Sequence, residues 1–168
     1  MRANLAFETQ EDARARPLYE EGLAVADEVL ETAVTGDREA ARYGPLIFGT
    51  SCNCIVMLAR RQRDLETEGI FLYRAVERFI AVTRVARAPL RFRARCLQHL
   101  QVASDALYRY FEGRGMWDAA ASFSERANAA MFEVRRLQAA AKQRARAMNS
   151  AARGASTVGQ IGARPGSD

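Results

Sequence analysis

The sequence predicts an all-α fold, a bundle of about five helices with a long C-terminal helix and a disordered tail. Apolar residues recur at spacings of three and four rather than in alternation, which indicates helices and not strands. Proline occurs only at positions 17, 45, 89 and 165, so long stretches contain no helix breaker. With 168 residues and 49% hydrophobic content, the chain can form one core. We expect one helical domain over residues 1–150 and a flexible tail over residues 151–168.

The first two predicted helices are separated by a glycine followed by an aspartate. An apolar face with acids between its members predicts a helix over residues 17–34. Gly36 suits a left-handed C-terminal cap, and Asp37 suits the N-cap of the next helix. Gly44-Pro45 predicts a second break, with Pro45 at the first position of a further helix that runs to about Leu65. The segment 46–65 is apolar on nearly every side, which predicts a buried central helix.

Three further interruptions delimit the remaining helices. A joint at residues 67–69 precedes a third apolar stripe, which ends before Pro89. The next helix is predicted over residues 90–111, and a Gly-Arg-Gly turn separates it from a long helix that begins at Trp117. We expect Trp117 to close the end of the bundle. The residues predicted to form the core are Leu46, Phe48, Ile55, Met57, Phe79, Leu100, Leu107 and Val134.

The charges are distributed unevenly along the chain. Residues 1–40 carry ten acids and four arginines, a net charge of −6, whereas residues 41–168 carry 21 bases and ten acids, a net charge of +11. Such an asymmetry is neutralised within one fold, between subunits or by a polyanion.

The basic half has two segments without acids, residues 78–104 and 134–167. Arginine forks bind phosphates, so RNA or DNA backbone contacts through residues 78–95 and 135–146 are the alternative function. The candidate residues are Arg84, Arg87, Arg91, Phe92, Arg93, Arg95, Arg135 and Arg136. Pairing of these arginines with the acidic first helix would favour a protein partner, whereas an open basic corner with an exposed aromatic would favour a polyanion.

The favoured function is a non-enzymatic protein-protein interaction or assembly protein that associates with itself as a homo-oligomer. The long helix carries small residues at positions 120, 124 and 127 before two larger apolar residues, which suits the approach of a second helix. The interaction candidates are Tyr110, Phe111, Trp117, Met131 and Val134. The competing explanation is that the same stripe packs inside the chain.

The chain contains three cysteines and one histidine, the residue types that bind zinc through sulfur and nitrogen. Cys52 and Cys54 point about 200° apart on a continuous helix, so a zinc site with Cys96 and His99 requires a break in that helix. Burial in the core is the simpler explanation, and we expect no metal or cofactor. The sequence also lacks a phosphate-binding glycine loop and a His-x-x-x-His pattern, so we expect no enzymatic activity.

The segment Ala106–Ala130 resembles a known repeat unit. Leu107, Phe111, Gly115, Trp117, Ala120 and Ala127 are similar to the helix-turn-helix core of a tetratricopeptide unit. The resemblance covers one unit of about 25 residues and implies two nested helices that take part in protein interactions.

The N-terminal residues and the cysteine count suggest where the protein acts. Residues 1–20 contain acids and no apolar core of a signal peptide, and the most apolar run, residues 46–59, is shorter than the about 20 residues of a membrane helix. An odd number of cysteines without a secretory signal predicts free thiols in a reducing compartment. We therefore expect an intracellular, soluble, cytoplasmic protein with no membrane partner.

Overall fold

The computed structural model describes the backbone of residues 2–159 and the side chains of residues 2–150. Within this range the chain forms six helices and no strand, which confirms the all-α prediction with a long C-terminal helix. The helices are α1 (Arg2–Glu8), α2 (Asp12–Val34), α3 (Arg38–Gln62), α4 (Leu65–Arg84), α5 (Leu90–Glu112) and α6 (Trp117–Gly159). Of the predicted flexible tail, residues 151–159 continue the α6 backbone, and residues 160–168 lie outside the described range.

The helices pack as a sequential series. Each helix packs on the next from α1 to α4, α4 on α5, and α5 on α6, while α3 also packs on α5 and α4 on α6. α4 and α5 run in opposite directions, because Tyr110 at the end of α5 contacts Leu65 at the start of α4. The contact of Arg61, at the end of α3, with Asp12, at the start of α2, shows the same for α2 and α3. α3 therefore lies beside α5, with α4 beneath both. Residues 141–150 of α6 are exposed throughout.

The predicted caps are confirmed. Gly36 has a φ of 103°, in the left-handed region, and ends α2. The Asp37 carboxylate accepts a hydrogen bond from the Ala40 amide at 2.7 Å and so caps α3. α5 begins directly after Pro89, and Gly115, with a φ of 68°, forms the turn before α6.

The predicted break at Pro45 is wrong, because α3 continues through it. A proline inside a helix leaves the carbonyl four residues earlier without its usual donor. Here that carbonyl belongs to Ala41, and it accepts a hydrogen bond from Nη1 of Arg95 at 3.3 Å. The preceding Gly44 lets α3 approach α2 closely, since a Cβ at this position would lie 3.4 Å from the Leu30 Cα.

Two other predicted boundaries are also wrong. The joint between α3 and α4 lies at Arg63 and Asp64, where Arg63 is left-handed and the Asp64 side chain accepts from the Thr67 amide at 3.0 Å. Gly69 lies inside α4 and leaves room for the Tyr110 hydroxyl, which a Cβ would overlap. At the N-terminus, α1 was not predicted, and α2 begins five residues before Pro17.

The core prediction is correct for six of the eight residues named. Leu46 and Met57 are the exceptions, with 54% and 46% of their surface exposed. α3 was predicted to be buried on all sides, but it faces solvent between α2 and α5. Its outward residues are therefore apolar and uncovered within the chain.

Trp117 does not close the end of the bundle. Its side chain is 56% exposed, and the neighbouring Met116 is also exposed. The first turn of α6 extends past the end of α5, so the indole has few neighbours. Over the described residues, no helix has both the length and the apolarity needed to cross a bilayer.

Candidate functional site

A groove between α3 and α5 is the first candidate site. Its walls are Gly49, Thr50 and Asn53 from α3, and His99, Val102, Ala103 and Ala106 from α5; Leu72, Ala75 and Phe79 of α4 form its floor. The volume is about 230 Å³ and most of the lining is apolar. The groove is wide because its walls carry small side chains where α3 and α5 face each other. We refer to it as the α3–α5 groove.

The polar groups of the groove are few and largely uncharged. His99 stacks on Phe79 with ring centroids 5.7 Å apart, and burial lowers the pKa of the imidazole, which favours its neutral form at pH 7. The described lining contains no carboxylate. The arrangement can bind an apolar surface and offers no acid and base pair for catalysis.

Exposed apolar side chains extend the groove outward. Leu46 lies one turn before the groove-lining Thr50 on α3, and Val102, with 70% of its surface exposed, lies on α5. Met57 lies on the other side of α3, where it lines a separate pocket with Phe7 and Tyr19. Isolated exposed apolar residues are common on protein surfaces, but a group that borders an apolar groove is typical of an interaction site.

The second candidate site is a basic end of the molecule, where α3 and α5 begin and α4 ends. Arg84, Arg87 and Arg91 are exposed there, and no described carboxylate lies within 4.0 Å of them. α6 passes this end and adds exposed Arg135, Arg136, Lys142, Arg144 and Arg146. We refer to these eight residues as the basic end.

The acidic residues of α2 pair with arginines that do not belong to the basic end. Nε of Arg78 lies 2.6 Å from Asp27, and Nη2 of Arg78 lies 2.8 Å from Glu31. Arg74 also contacts Asp27, and Arg61 pairs with Asp12. The arginines at the basic end therefore remain available to another molecule.

Three of the predicted nucleic-acid residues are unavailable or already engaged. Phe92 is fully buried and cannot stack on a base. Arg93 is buried, donates to the Thr83 carbonyl at 2.5 Å and pairs with Glu133 at 3.2 Å, so it ties α5 to α4 and α6. Arg95 is exposed but donates to Ala41. The other five candidates, Arg84, Arg87, Arg91, Arg135 and Arg136, are exposed.

The predicted interaction residues divide into three groups by their exposure. Met131 and Val134 are buried against the chain's own core, so the α6 stripe packs inside the molecule, as the competing explanation held. Tyr110 and Phe111 are half-buried: the Tyr110 hydroxyl donates to the Leu65 carbonyl at 2.9 Å, and Phe111 stacks on Phe123. Trp117 is the member of the set that is freely exposed.

The structure does not bring the four metal-ligand candidates together. Cys52 and Cys54 lie on an unbroken helix, with Cys52 in the core and Cys54 beside Tyr19. Burial raises the pKa of the Cys52 and Cys96 thiols to about 12, which disfavours the thiolate that metal binding requires. His99 lines the groove instead. Over the described residues, no group of three or more His, Cys, Asp or Glu side chains has the arrangement of a metal site.

The groove is not evident from the sequence. One sequence feature does point to it, because α3 is apolar on nearly every side. This pattern was interpreted as burial on all sides, but some of these apolar residues lie on the solvent side of α3. Val102 gives a second signal, because it lies two positions after the buried Leu100 and therefore on the opposite side of α5.

Comparison of the chain with models of known protein families, with curated proteins and with solved structures found no match. The residues that resemble a tetratricopeptide unit lie in the α5–α6 hairpin, where Ala120 and Ala127 are buried. Small residues allow close packing in many helical hairpins, so these positions do not distinguish a tetratricopeptide unit from another hairpin.

Proposed function

We propose that the protein is a non-enzymatic interaction and assembly protein that associates with itself through the α3–α5 groove. The observation that carries this proposal is the apolar lining of the groove together with the exposed Leu46 and Val102 at its border. Burial of such a surface contributes about 25 cal/mol per Å² of apolar area. The groove replaces the α6 stripe as the proposed contact surface.

Sedimentation velocity of the wild-type protein and of Val102→Glu tests this function. At about 50 µM and low salt, we expect the wild type to sediment as an oligomer, because an exposed apolar surface that borders a groove is typical of an interaction site. A glutamate at position 102 places a charge at the contact and should shift the protein towards the monomer.

The chain offers a matched control in Phe132→Glu. Phe132 of α6 is 71% exposed, close to the 70% of Val102, and lies on a helix that does not border the groove. This variant should keep the wild-type sedimentation coefficient. A monomeric wild type, or equal loss of association in both variants, would contradict the proposal.

Binding of a nucleic-acid backbone is a second candidate function. The observation that favours it is the basic end, whose eight exposed cations have no carboxylate partner among the described residues. α6 presents Arg135, Lys142 and Arg146 at spacings of seven and four, so they follow one side of the helix. Such a row can contact successive phosphates without reading the bases.

A fluorescence anisotropy titration with a labelled DNA duplex of about 20 base pairs tests this second function. Changing Arg135, Lys142 and Arg146 to Gln should weaken binding. It should also reduce the slope of log K against log salt concentration by the equivalent of about three phosphate contacts. The matched control changes Arg2, Arg14 and Arg63, which lie towards the other end of the molecule, to Gln. Equal weakening in both triple variants would indicate an effect of net charge alone.

A further inference from the structure

α2 has an outer face that the rest of the chain leaves uncovered. This helix packs on α3, and α1 covers part of its N-terminal half. Glu21, Val25 and Glu28 are exposed and lie at spacings of four and three, so they follow one stripe. Neither glutamate lies within 4.0 Å of a basic nitrogen in the described part of the chain. The stripe is therefore acidic, with an apolar residue at its centre.

The helices that form the groove walls have the opposite charge. Together α3 and α5 carry eight arginines, of which Arg60, Arg61 and Arg93 pair with carboxylates of the same chain. The other five have no carboxylate within 4.0 Å among the described residues: Arg38, Arg42, Arg91, Arg95 and Arg109. Their acids are Glu39, Asp105 and Glu112, none of which lines the groove. Arg42 and Arg95 are exposed at one end of the groove, where Arg95 contacts α3.

These charges restrict how two copies can meet. Two grooves placed face to face would bring the arginines of four helices together, and like charges at a contact oppose association. The stripe on α2 has the negative charge that the groove lacks, and its central Val25 can contact the apolar lining. Within one chain the two surfaces cannot meet, because α3 lies between α2 and α5.

We infer that the α3–α5 groove of one copy binds the outer face of α2 from a second copy, so that the protein assembles head to tail. In this arrangement Val25 contacts the apolar groove, and Glu21 and Glu28 lie near the arginines of its walls. This inference rests on the proposed function and names the occupant of the groove.

The lengths of the two surfaces agree. The α2 stripe from Glu21 to Glu28 spans about 11 Å at 1.5 Å per residue. The α3 lining of the groove from Gly49 to Val56 spans about 11 Å on the same rule. Gly22 and Ala24 flank Val25 with little side-chain volume, which allows the Val25 side chain to project into the groove. A contact between two different surfaces continues into a ring or an open chain of copies.

Two variants, each with one surface disabled, test the inference. The first, Glu21→Gln with Glu28→Gln, neutralises α2 and keeps the groove. The second, Arg42→Glu with Val102→Glu, disables the groove and keeps α2. All four side chains are exposed in the single chain, so both variants should fold, which circular dichroism checks.

We expect each variant alone to associate about tenfold more weakly than the wild type. An equimolar mixture should form a 1:1 complex that does not grow further, since one functional groove and one functional α2 remain. Raising the salt from about 50 mM to about 500 mM should weaken this complex. Sedimentation velocity measures all three results.

The outcomes separate the inference from the function on which it rests. If Val102→Glu prevents association while the α2 variant assembles like the wild type, the groove is a contact surface, but α2 is not its occupant. If the wild type is a monomer, the proposed self-assembly is itself wrong. Failure of the mixed variants to form a complex would also overturn the head-to-tail arrangement.

Discussion

Replacing both Met131 and Val134 by Asp is expected to unfold the domain. Both side chains are buried between α6 and the rest of the core, and Val134 has 1% of its surface exposed. A carboxylate at either position would lose its hydration without gaining a partner, which costs several kcal/mol. Two such changes approach the whole stability of a small domain, about 5–15 kcal/mol. Circular dichroism at increasing urea concentrations should show no folded baseline.

The exposed Phe132 between these two residues provides the control. Phe132→Asp changes the same helix and introduces the same charge, but on the solvent side, so the urea midpoint should move little. If the double variant instead remained folded and sedimented as a smaller species than the wild type, the α6 stripe would be a contact between copies. That result would contradict the intramolecular packing described above.

The parts of the fold that were predictable are those where local signals agree. Gly36 and Asp37 end one helix and begin the next because their backbone and side chain each satisfy a helix terminus. Around α5, the spacing of Phe92, Cys96 and Leu100 identifies the buried face without further information. Local chemistry decides these features.

Pro45 shows why other boundaries could not be predicted. A proline normally disrupts a helix because one carbonyl loses its donor. Arg95, fifty residues later, supplies that donor to Ala41, and only the tertiary structure brings the two together. The same holds for Gly69, which leaves room for Tyr110 of α5 rather than ending a helix.

The candidate site depends even more on the tertiary structure. The uneven charge was evident from the sequence, but the partners of individual acids were not. Asp27 and Glu31 pair with Arg74 and Arg78 of α4 and thus do not neutralise the basic end. Met57 shows the same limit for apolar residues, because periodicity within α3 does not reveal which side of the helix has no neighbour.

Replacing Leu100 by Ala is expected to lower the free energy of unfolding by about 2–5 kcal/mol. Leu100 is fully buried on α5 and belongs to the same core as Phe79 of α4. The loss combines the transfer of the missing carbon atoms with the cavity that they leave in the core. Urea titration followed by circular dichroism measures the difference.

Val102→Ala is the matched control for this prediction. It also shortens an aliphatic side chain of α5, two residues further on, but at a position that is mostly exposed. Its effect on the free energy of unfolding should stay within about 0.5 kcal/mol. A loss below about 1 kcal/mol for Leu100→Ala would mean that this face of α5 is not in the core. The groove, whose Val102 is exposed because Leu100 points inward, would then have to be placed on another side of the helix.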